Sequence, residues 1–265
     1  MPTVPSGWTL KEASTNVRIY QKNGEDTYVQ MIDIQNGGKI RLHGTISGYQ
    51  TVNGYNEPKF QKKSLATHWA TIPYAGKRAV TNGQFFNPTV DPSMLSFGTR
   101  VNGSYLTYGA DPGSSVKRTL HIFGNSVSTR AYLASDFAGA SSPQAIVGLA
   151  PTESRGPYLT IGRTFLCGIN RPYISAPGTP APQLQEWLLI LTAKNKMQYG
   201  IINDELVSWG CKNWNIVMDD GGGSSQLQTL GGITMYGYAS NLAATVNLGY
   251  PDYRLLPHVI VTTDY

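Results

Sequence analysis

The sequence predicts a single α+β domain, built mostly of β-strands in mixed or antiparallel sheets with a few short helices. Its 265 residues include 29 glycines, 16 prolines and 16 tyrosines, a composition typical of turn-rich β-proteins. Charged residues make up only 14%, which leaves little material for long charged helices. No internal repeat is visible. We therefore expect one domain over residues 1–265, with a core from about 28 to 262 and residues 1–25 as an N-terminal extension or a first strand.

Short apolar runs between turn signals indicate hairpins in the first half of the chain. Residues 28–34 and 39–43 flank an Asn-Gly-Gly turn, which predicts a hairpin. Two further hairpins are expected at 97–108 and 119–133, with turns at Asn102-Gly103 and Gly124-Asn125. The polar stretches 50–60 and 88–96 are predicted to be loops.

The remaining elements are one helix and one strand before the middle of the chain, and a more regular last third. Ser64 is a suitable N-cap for a helix over 64–70, and residues 79–81 form a short strand that leads into Asn82. The segment 173–182 is rich in proline, alanine and glycine and is predicted to be an exposed loop. Later elements are a buried strand over 186–192, a helix over 204–210 capped by Asn203 and closed by Gly210, a strand over 215–218, and a terminal strand near 256–262.

The cysteines, the N-terminus and the net charge predict the state of the thiols, the location of the protein and the charge of its ligand. Cys167 and Cys211 form no CxxC pair and no disulfide framework, so we expect two buried small apolar side chains. The first residues lack a signal peptide, which predicts a cytoplasmic or phage-borne protein, extracellular only if a leader was removed. The sequence has no membrane-spanning stretch. The net charge of +5 suits an anionic ligand, but the basic residues are scattered and do not form a nucleic-acid tract.

The most informative motif is Asp219-Asp220-Gly221-Gly222-Gly223-Ser224-Ser225, which follows the apolar strand over 215–218. Glycines allow positive φ and close approach of a ligand to the backbone, and their N–H groups can surround an anion. Adjacent residues of a strand point to opposite faces, so only one of the two carboxylates should face a site. A plain glycine-rich connector is the alternative.

Four blocks, taken in order, resemble the phosphodiester glycosidase family. They are the strand with Asn82-Gly83-Gln84-Phe85-Phe86, similar to Asn-Gly-x-Phe-Phe; Gly162-Arg163-Thr164 up to Gly168, similar to Pro-Arg-Thr-x-x-Gly; residues 200–206 leading to the glycine motif; and Arg254 before residues 255–260. The second block has one extra residue, which a β-bulge could absorb. The chain departs from the family at Gly162, at Asp219 and at His258.

The resemblance implies hydrolysis of a sugar-1-phosphodiester on the glycosidic side, which releases sugar and a phosphate monoester. It assigns catalysis to Asp220, Asn82, Arg163 and Arg254. It assigns substrate binding to Gly221, Gly222, Gly223, Ser224, Ser225, Phe86, Thr164, Glu205 and His258. The expected partner is a phosphorylated carbohydrate or a sugar-nucleotide-like small molecule. Arginine forks suit phosphate oxygens, and a carboxylate suits the anomeric carbon.

Each of these assignments has an alternative in which the residue has only a structural role. The arginines could form structural ion pairs, Asn82 could be a turn residue beside Gly83, Asp220 could bind the N–H groups of its own turn, and Glu205 could stabilise the first turn of a helix. The four histidines are not spaced as a zinc site, and no metal ligands are assigned, although calcium or magnesium at the two aspartates stays open. Other functions left open are binding of an anionic glycan without catalysis, and metal-dependent cleavage of P–O bonds.

Overall fold

Two antiparallel sheets pack face to face, and a helical segment covers the outer face of each. The computed structural model describes residues 1–111, 115–132, 137, 140–153, 157–169, 185–237 and 254–265. Eighteen strands occur in these ranges: β1 Trp8–Ala13, β2 Val17–Lys22, β3 Thr27–Asp33, β4 Lys39–Gly44, β5 Ile46–Val52, β6 Tyr55–Phe60, β7 Lys77–Asn82, β8 Thr99–Val101, β9 Ser104–Thr107, β10 Lys117–Ile122, β11 Val127–Ala131, β12 Gln144–Leu149, β13 Ile161–Ile169, β14 Trp187–Lys196, β15 Ile216–Met218, β16 Gln226–Thr229, β17 Thr234–Tyr236 and β18 His258–Thr263.

The larger sheet has eleven strands, with the order β1-β2-β3-β14-β13-β15-β12-β10-β11 and with β8 and β9 attached beside β12. The smaller sheet has the order β17-β16-β7-β18-β4, and β5 and β6 form a separate hairpin. Helix α1 spans Leu65–Thr71, and α2 spans Gln198–Gly200 and continues as a π-helical turn over Ile201–Leu206. All described strand pairs are antiparallel, and the chain consists mostly of β-strands with a few short helices, which is consistent with the predicted α+β class.

Alternating side chains of the central strands supply two apolar layers. On β14, Leu188 and Ile190 face the smaller sheet, while Leu189 and Leu191 face α2. Burial on both faces explains why β14 appears in the sequence as a continuous apolar run. A third cluster packs α1 against the other face of the smaller sheet through Leu65 and Val259.

Several sequence predictions are confirmed at the level of single turns. Asn102 and Gly103 have φ of 52° and 82°, as a tight hairpin turn requires, and they join β8 to β9. The Gly124-Asn125 turn joins β10 to β11. The Ser64 side chain accepts a hydrogen bond from the Thr67 N–H at 3.1 Å and caps α1. The predicted loop over 173–182 lies outside the described residues.

Three predictions of secondary structure are wrong. The turn at 36–38 does not close a hairpin, because β3 pairs with β2 and β14 in the larger sheet while β4 pairs with β18 in the smaller one. Residues 50–60 are not a loop but most of the β5–β6 hairpin, turned at Asn53 and Gly54 with φ of 51° and 81°. The second helix begins at Gln198, so Asn203 lies inside it and is not its cap.

The two cysteines are buried as expected, but they are joined in a disulfide, which the sequence interpretation did not anticipate. Cys167 on β13 bonds Cys211, which lies just after α2, across a sequence separation of 44 residues. Residues 1–25, left open as an extension or a first strand, contain both β1 and β2. Within the described ranges, no helix is long and apolar enough to cross a membrane.

Candidate functional site

The glycine turn leaves the end of β15 and enters the space between the two sheets. Residues Gly222–Ser224 form one 3-10 turn, and Gly222 has a φ of +64°. The Gly221 N–H donates to Asp220 Oδ1 at 2.8 Å, and the Asp220 N–H donates to Asp219 Oδ1 at 3.1 Å. The Asp220 carboxylate therefore helps to hold its own turn, as the alternative interpretation proposed. The residue as a whole is 8% exposed.

Asn82, at the end of β7, connects the smaller sheet to this turn. Its Nδ2 donates to the Asp220 carbonyl at 3.0 Å, while its Oδ1 accepts from Thr164 Oγ1 at 2.7 Å and from the Gln226 N–H at 3.2 Å. Asn82 is completely buried, and it lies in strand rather than in a left-handed turn conformation. Its amide is therefore engaged within the protein and fixes the glycine turn against β13.

Thr164 and Arg163 of β13 occupy opposite faces of the larger sheet. Thr164 Oγ1 reaches Asn82 and, at 3.2 Å, Ser225 Oγ, so it belongs to the layer between the sheets. Arg163 follows the alternation to the other face, where it is 3% exposed and its guanidinium donates to the Leu159 carbonyl at 3.3 Å. Burial lowers the pKa of Arg163. The predicted bulge lies between Ile161 and Arg163.

Gly162 is the position where β13 touches the glycine turn most closely. A β-carbon at Gly162 would overlap the carbonyl oxygen of Gly222, and one at Gly237 would overlap the same atom. By contrast, a β-carbon at Gly222 would meet nothing within 4 Å, so its restriction comes from positive φ alone. The close contact therefore explains why a side-chain-free residue stands at position 162.

Arg254 enters the site through its backbone. Its N–H donates to the Gly223 carbonyl at 3.2 Å, and its own carbonyl accepts from Gln226 Nε2 at 2.6 Å. The Arg254 side chain is partly exposed, and no acidic side chain in the described part of the chain pairs with it. Among the described residues the guanidinium thus has no acidic partner, and a guanidinium suits an anionic ligand.

Asp219 is the more deeply buried of the two neighbouring carboxyls. Burial raises its pKa well above the usual range, and the Asp220 charge raises it further, against the hydrogen bond from the Asp220 N–H. Asp219 Oδ2 is buried and has no hydrogen-bond partner among the described residues. The carboxyl at position 219 is therefore stabilised in its neutral form.

His258 begins β18 and packs its ring against Gly83, whose β-carbon would overlap Nδ1 of the ring. Burial lowers the pKa of His258 to about 3, and that of His68 on α1 to about 4. The ring centroids of His68 and His43 lie 6.1 Å apart. Three of the four histidines thus come near one another, although the described residues contain no cluster of three His, Cys, Asp or Glu side chains suited to a metal ion.

The other residues predicted to bind substrate do not all lie at the glycine turn. Glu205 pairs with Lys22 at 3.0 Å and with Lys196 at 3.5 Å, and it lies in the π-helical turn rather than in the first turn of a helix. The helix-dipole interpretation of Glu205 is therefore wrong, because α2 begins earlier. Phe86 packs against the cluster beneath α1. Ser224 and Ser225 are fully buried, and Ser224 Oγ has no partner in the described ranges.

Sequence reasoning missed the tight contact at Gly162 and the deep burial of the Asp219 carboxyl. The alternation of side chains along β13 could have predicted from the sequence that Thr164 and Arg163 face opposite sides of the sheet. The contact at Gly162 carries no such signal, because it depends on packing between distant segments.

The fold resembles that of a solved enzyme domain. No family model matches the chain, and no curated protein matches it. A structure of the zebrafish N-acetylglucosamine-1-phosphodiester alpha-N-acetylglucosaminidase catalytic domain, auto-inhibited by its pro-peptide, superposes with a TM-score of 0.52. The match covers 96% of this chain and 80% of that one, at 10% sequence identity. The comparison shows a shared fold, and the residue roles described above remain predictions.

Proposed function

We propose that this protein is a hydrolase that cleaves sugar-1-phosphodiesters on the glycosidic side. The observation that carries the proposal is the hydrogen-bonded junction of Asn82, Thr164 and the glycine turn. Asn82 and Asp220 are 138 positions apart, and they meet at 3.0 Å. The Asn82 block, the β13 block and the glycine motif were selected by their resemblance to one enzyme family, and their hydrogen bonds and the shared fold of an enzyme domain support the proposal.

In the proposed reaction, the bond between the anomeric carbon and the phosphate oxygen breaks. Water supplies a hydroxyl group to the sugar and a proton to the departing phosphate, which leaves as a monoester. The Asp220 carboxylate stabilises the positive charge that develops at the anomeric carbon. Its Oδ1 accepts a hydrogen bond from the Gly221 N–H, which fixes the carboxylate beside the turn.

The proposed roles of the two arginines differ. Arg254 binds the phosphate, because its guanidinium is partly exposed, lacks an acidic partner in the described ranges, and extends from backbone bonded to the turn. Arg163 acts as a positioning residue, because its side chain is buried on the far face of β13 and binds main-chain carbonyls there. Asn82 likewise positions the turn and does not contact the sugar.

The test is hydrolysis of a panel of sugar-1-phosphodiesters with identification of the products. We expect free sugar and a phosphate monoester, and loss of turnover in Asp220→Asn. Asp204→Asn, an exposed aspartate on α2, serves as the matched control and should keep full activity. Sugar-1-phosphate as product would instead indicate P–O cleavage.

The same variant separates catalysis from simple binding. A glycan-binding protein should show no turnover in the wild type and should retain its ligand affinity in Asp220→Asn. Retained turnover in Asp220→Asn would contradict the assignment of the reacting carboxylate. Loss of activity in chelator would support the metal-dependent phosphodiesterase instead.

A further inference from the structure

Three tyrosine rings lie in a row on the surface, where the β5–β6 hairpin meets the β8–β9 hairpin. The Tyr108 ring is the middle one, and its centroid lies 4.4 Å from that of Tyr55 and 4.2 Å from that of Tyr105. Tyr55 is 51% exposed and Tyr105 is 44% exposed. Soluble proteins expose few contiguous aromatic or apolar patches, so this row, which we call the tyrosine platform, is a candidate binding surface.

A buried carboxylate beneath the rings fixes the platform. Glu57 on β6 accepts hydrogen bonds from the Tyr108 N–H at 3.1 Å and from the Thr107 hydroxyl at the end of β9. These bonds join the two hairpins on which the rings stand. The rings are therefore held in place before any ligand arrives, which lowers the entropic cost of binding.

The surface chemistry of the platform suits a neutral ligand that is rich in hydroxyl groups. The two hairpin tips, residues 51–56 and 101–106, contain no charged side chain. Among the described residues, no hydrogen bond engages the hydroxyl groups of the three tyrosines. A sugar ring has C–H groups that pack on an aromatic face, and its hydroxyls can bond to phenol and amide groups at the edge.

The platform lies close to the Asn82 block. The Ser96 N–H donates to the Phe85 carbonyl at 2.7 Å, and the Asp111 N–H donates to the Ser96 carbonyl at 2.9 Å. The segment of Ser96 alone therefore separates the Asn82 block from the chain that follows Tyr108.

We propose that the tyrosine platform binds a neutral sugar ring of a glycan. The choice of a saccharide over a protein partner rests on the uncharged hairpin tips and the unengaged hydroxyls. The nearby Asn82 block adds to it, and that part of the argument rests on the proposed function. Tyr105 stands at one end of the row, so its replacement leaves the contact between Tyr55 and Tyr108 in place.

The test measures binding to a panel of neutral oligosaccharides with glucose, galactose, mannose or N-acetylhexosamine rings, first immobilised and then in solution by calorimetry. Tyr105→Ala should lower the affinity about tenfold, the ratio that one aromatic contact gives. Tyr105→Phe should lose less, because it keeps the ring face. Tyr199→Ala is the matched control and should bind as the wild type does, since Tyr199 is 45% exposed and stacks on Tyr158.

Melting temperatures show whether each variant is folded. If Tyr105→Ala melts early, Tyr105→Leu, which keeps an apolar contact with Tyr108, should show the same loss of affinity. Absence of binding across the neutral panel, or equal affinity of the wild type and the Tyr105 variants, would overturn the inference. Self-association that depends on Tyr105, without saccharide binding, would also overturn it, because a second copy of the chain would then cover the platform.

The outcomes for the platform and for the proposed hydrolysis are separate. Saccharide binding that depends on Tyr105, in a protein that hydrolyses no phosphodiester, would support the platform while removing the proposed function. Hydrolysis of a sugar-1-phosphodiester by a protein that binds nothing in the neutral panel would do the reverse.

Discussion

Replacing Asn82 by alanine should destabilise the protein, because hydrogen bonds with Asp220, Thr164 and Gln226 converge on its side chain. The substitution leaves the Gln226 N–H without its acceptor and weakens the support of the Asp220 carbonyl, in a place fully shielded from water. Each buried group left unsatisfied costs about 1 to 3 kcal/mol. Thr164 Oγ1 can turn to Ser225 Oγ, so it adds little. We expect a loss of about 3 kcal/mol in the free energy of unfolding.

Thermal and urea unfolding measure this loss directly. For a chain of this size, 3 kcal/mol corresponds to a fall in melting temperature of roughly 6 to 12 °C. Asn56→Ala, an exposed asparagine on β6, is the control and should melt as the wild type does. Asn82→Asp keeps the shape but turns an oxygen toward the Asp220 carbonyl, so it should be no more stable than the alanine variant.

A double-mutant cycle with Thr164→Val tests the pairing of the two side chains. Thr164→Val alone removes the contacts of Oγ1 with Asn82 and with Ser225 and should cost about 1 kcal/mol. Since Thr164 and Asn82 share the first of these contacts, the combined loss should be smaller than the sum of the single losses. Strict additivity, or an Asn82→Ala protein that melts within about 2 °C of the wild type, would refute the view that Asn82 organises the site.

Three further predictions concern the same region. Gly162→Ala should abolish activity and lower stability, because its β-carbon would overlap the Gly222 carbonyl; a variant with normal melting and turnover would show that the turn is free to move. The lowered pKa values of His258 and His68 mean that these rings favour the native state above their unfolded pKa of 6.5, and that this contribution is lost as the pH falls toward 4 and then 3. His258→Gln should therefore flatten the decline of the urea midpoint between pH 7 and pH 4. An unchanged slope would contradict this prediction. The raised pKa of Asp219 has the opposite sign, since its contribution is complete below 3.8 and is lost as the pH rises. Asp219→Asn should therefore raise the urea midpoint more at pH 7 than at pH 4, and equal gains at both pH values would count against it.

Local signals in the sequence predicted individual turns but not the sheets that they connect. The Asn102-Gly103 turn was predicted because apolar residues flank it, whereas Asn53-Gly54 uses the same chemistry in a hairpin exposed on most of its surface. The turn at 36–38 was also recognised, but it joins strands of different sheets. Which partner a strand takes depends on contacts between distant segments, and a turn signal holds no information on them.

At the candidate site too, local motifs were predictable from the sequence, whereas contacts between distant segments were not. The resemblance grouped Asp220, Asn82, Arg163 and Arg254 as the catalytic set. The Asn82 side chain and the Arg254 backbone do bond to the glycine turn, whereas the Arg163 side chain lies on the other face of β13 from Thr164. Burial of Asp219 could not be derived, because the chain leaves β15 at that residue and the alternation of a strand no longer applies. Pairing of Cys167 with Cys211 likewise depends on where α2 returns to the sheet.

The Cys167–Cys211 disulfide connects the strand that carries Thr164 to the end of α2, and it makes the folding of this region depend on redox conditions. Closing a loop of 44 residues lowers the conformational entropy of the unfolded chain, and in the chain-entropy account this stabilises the folded state by about 4 kcal/mol. Such bonds persist in oxidising surroundings and are reduced by cytosolic thiols. Whether β13 and α2 stay covalently joined beside the candidate site therefore depends on the thiol chemistry of the compartment in which the protein works.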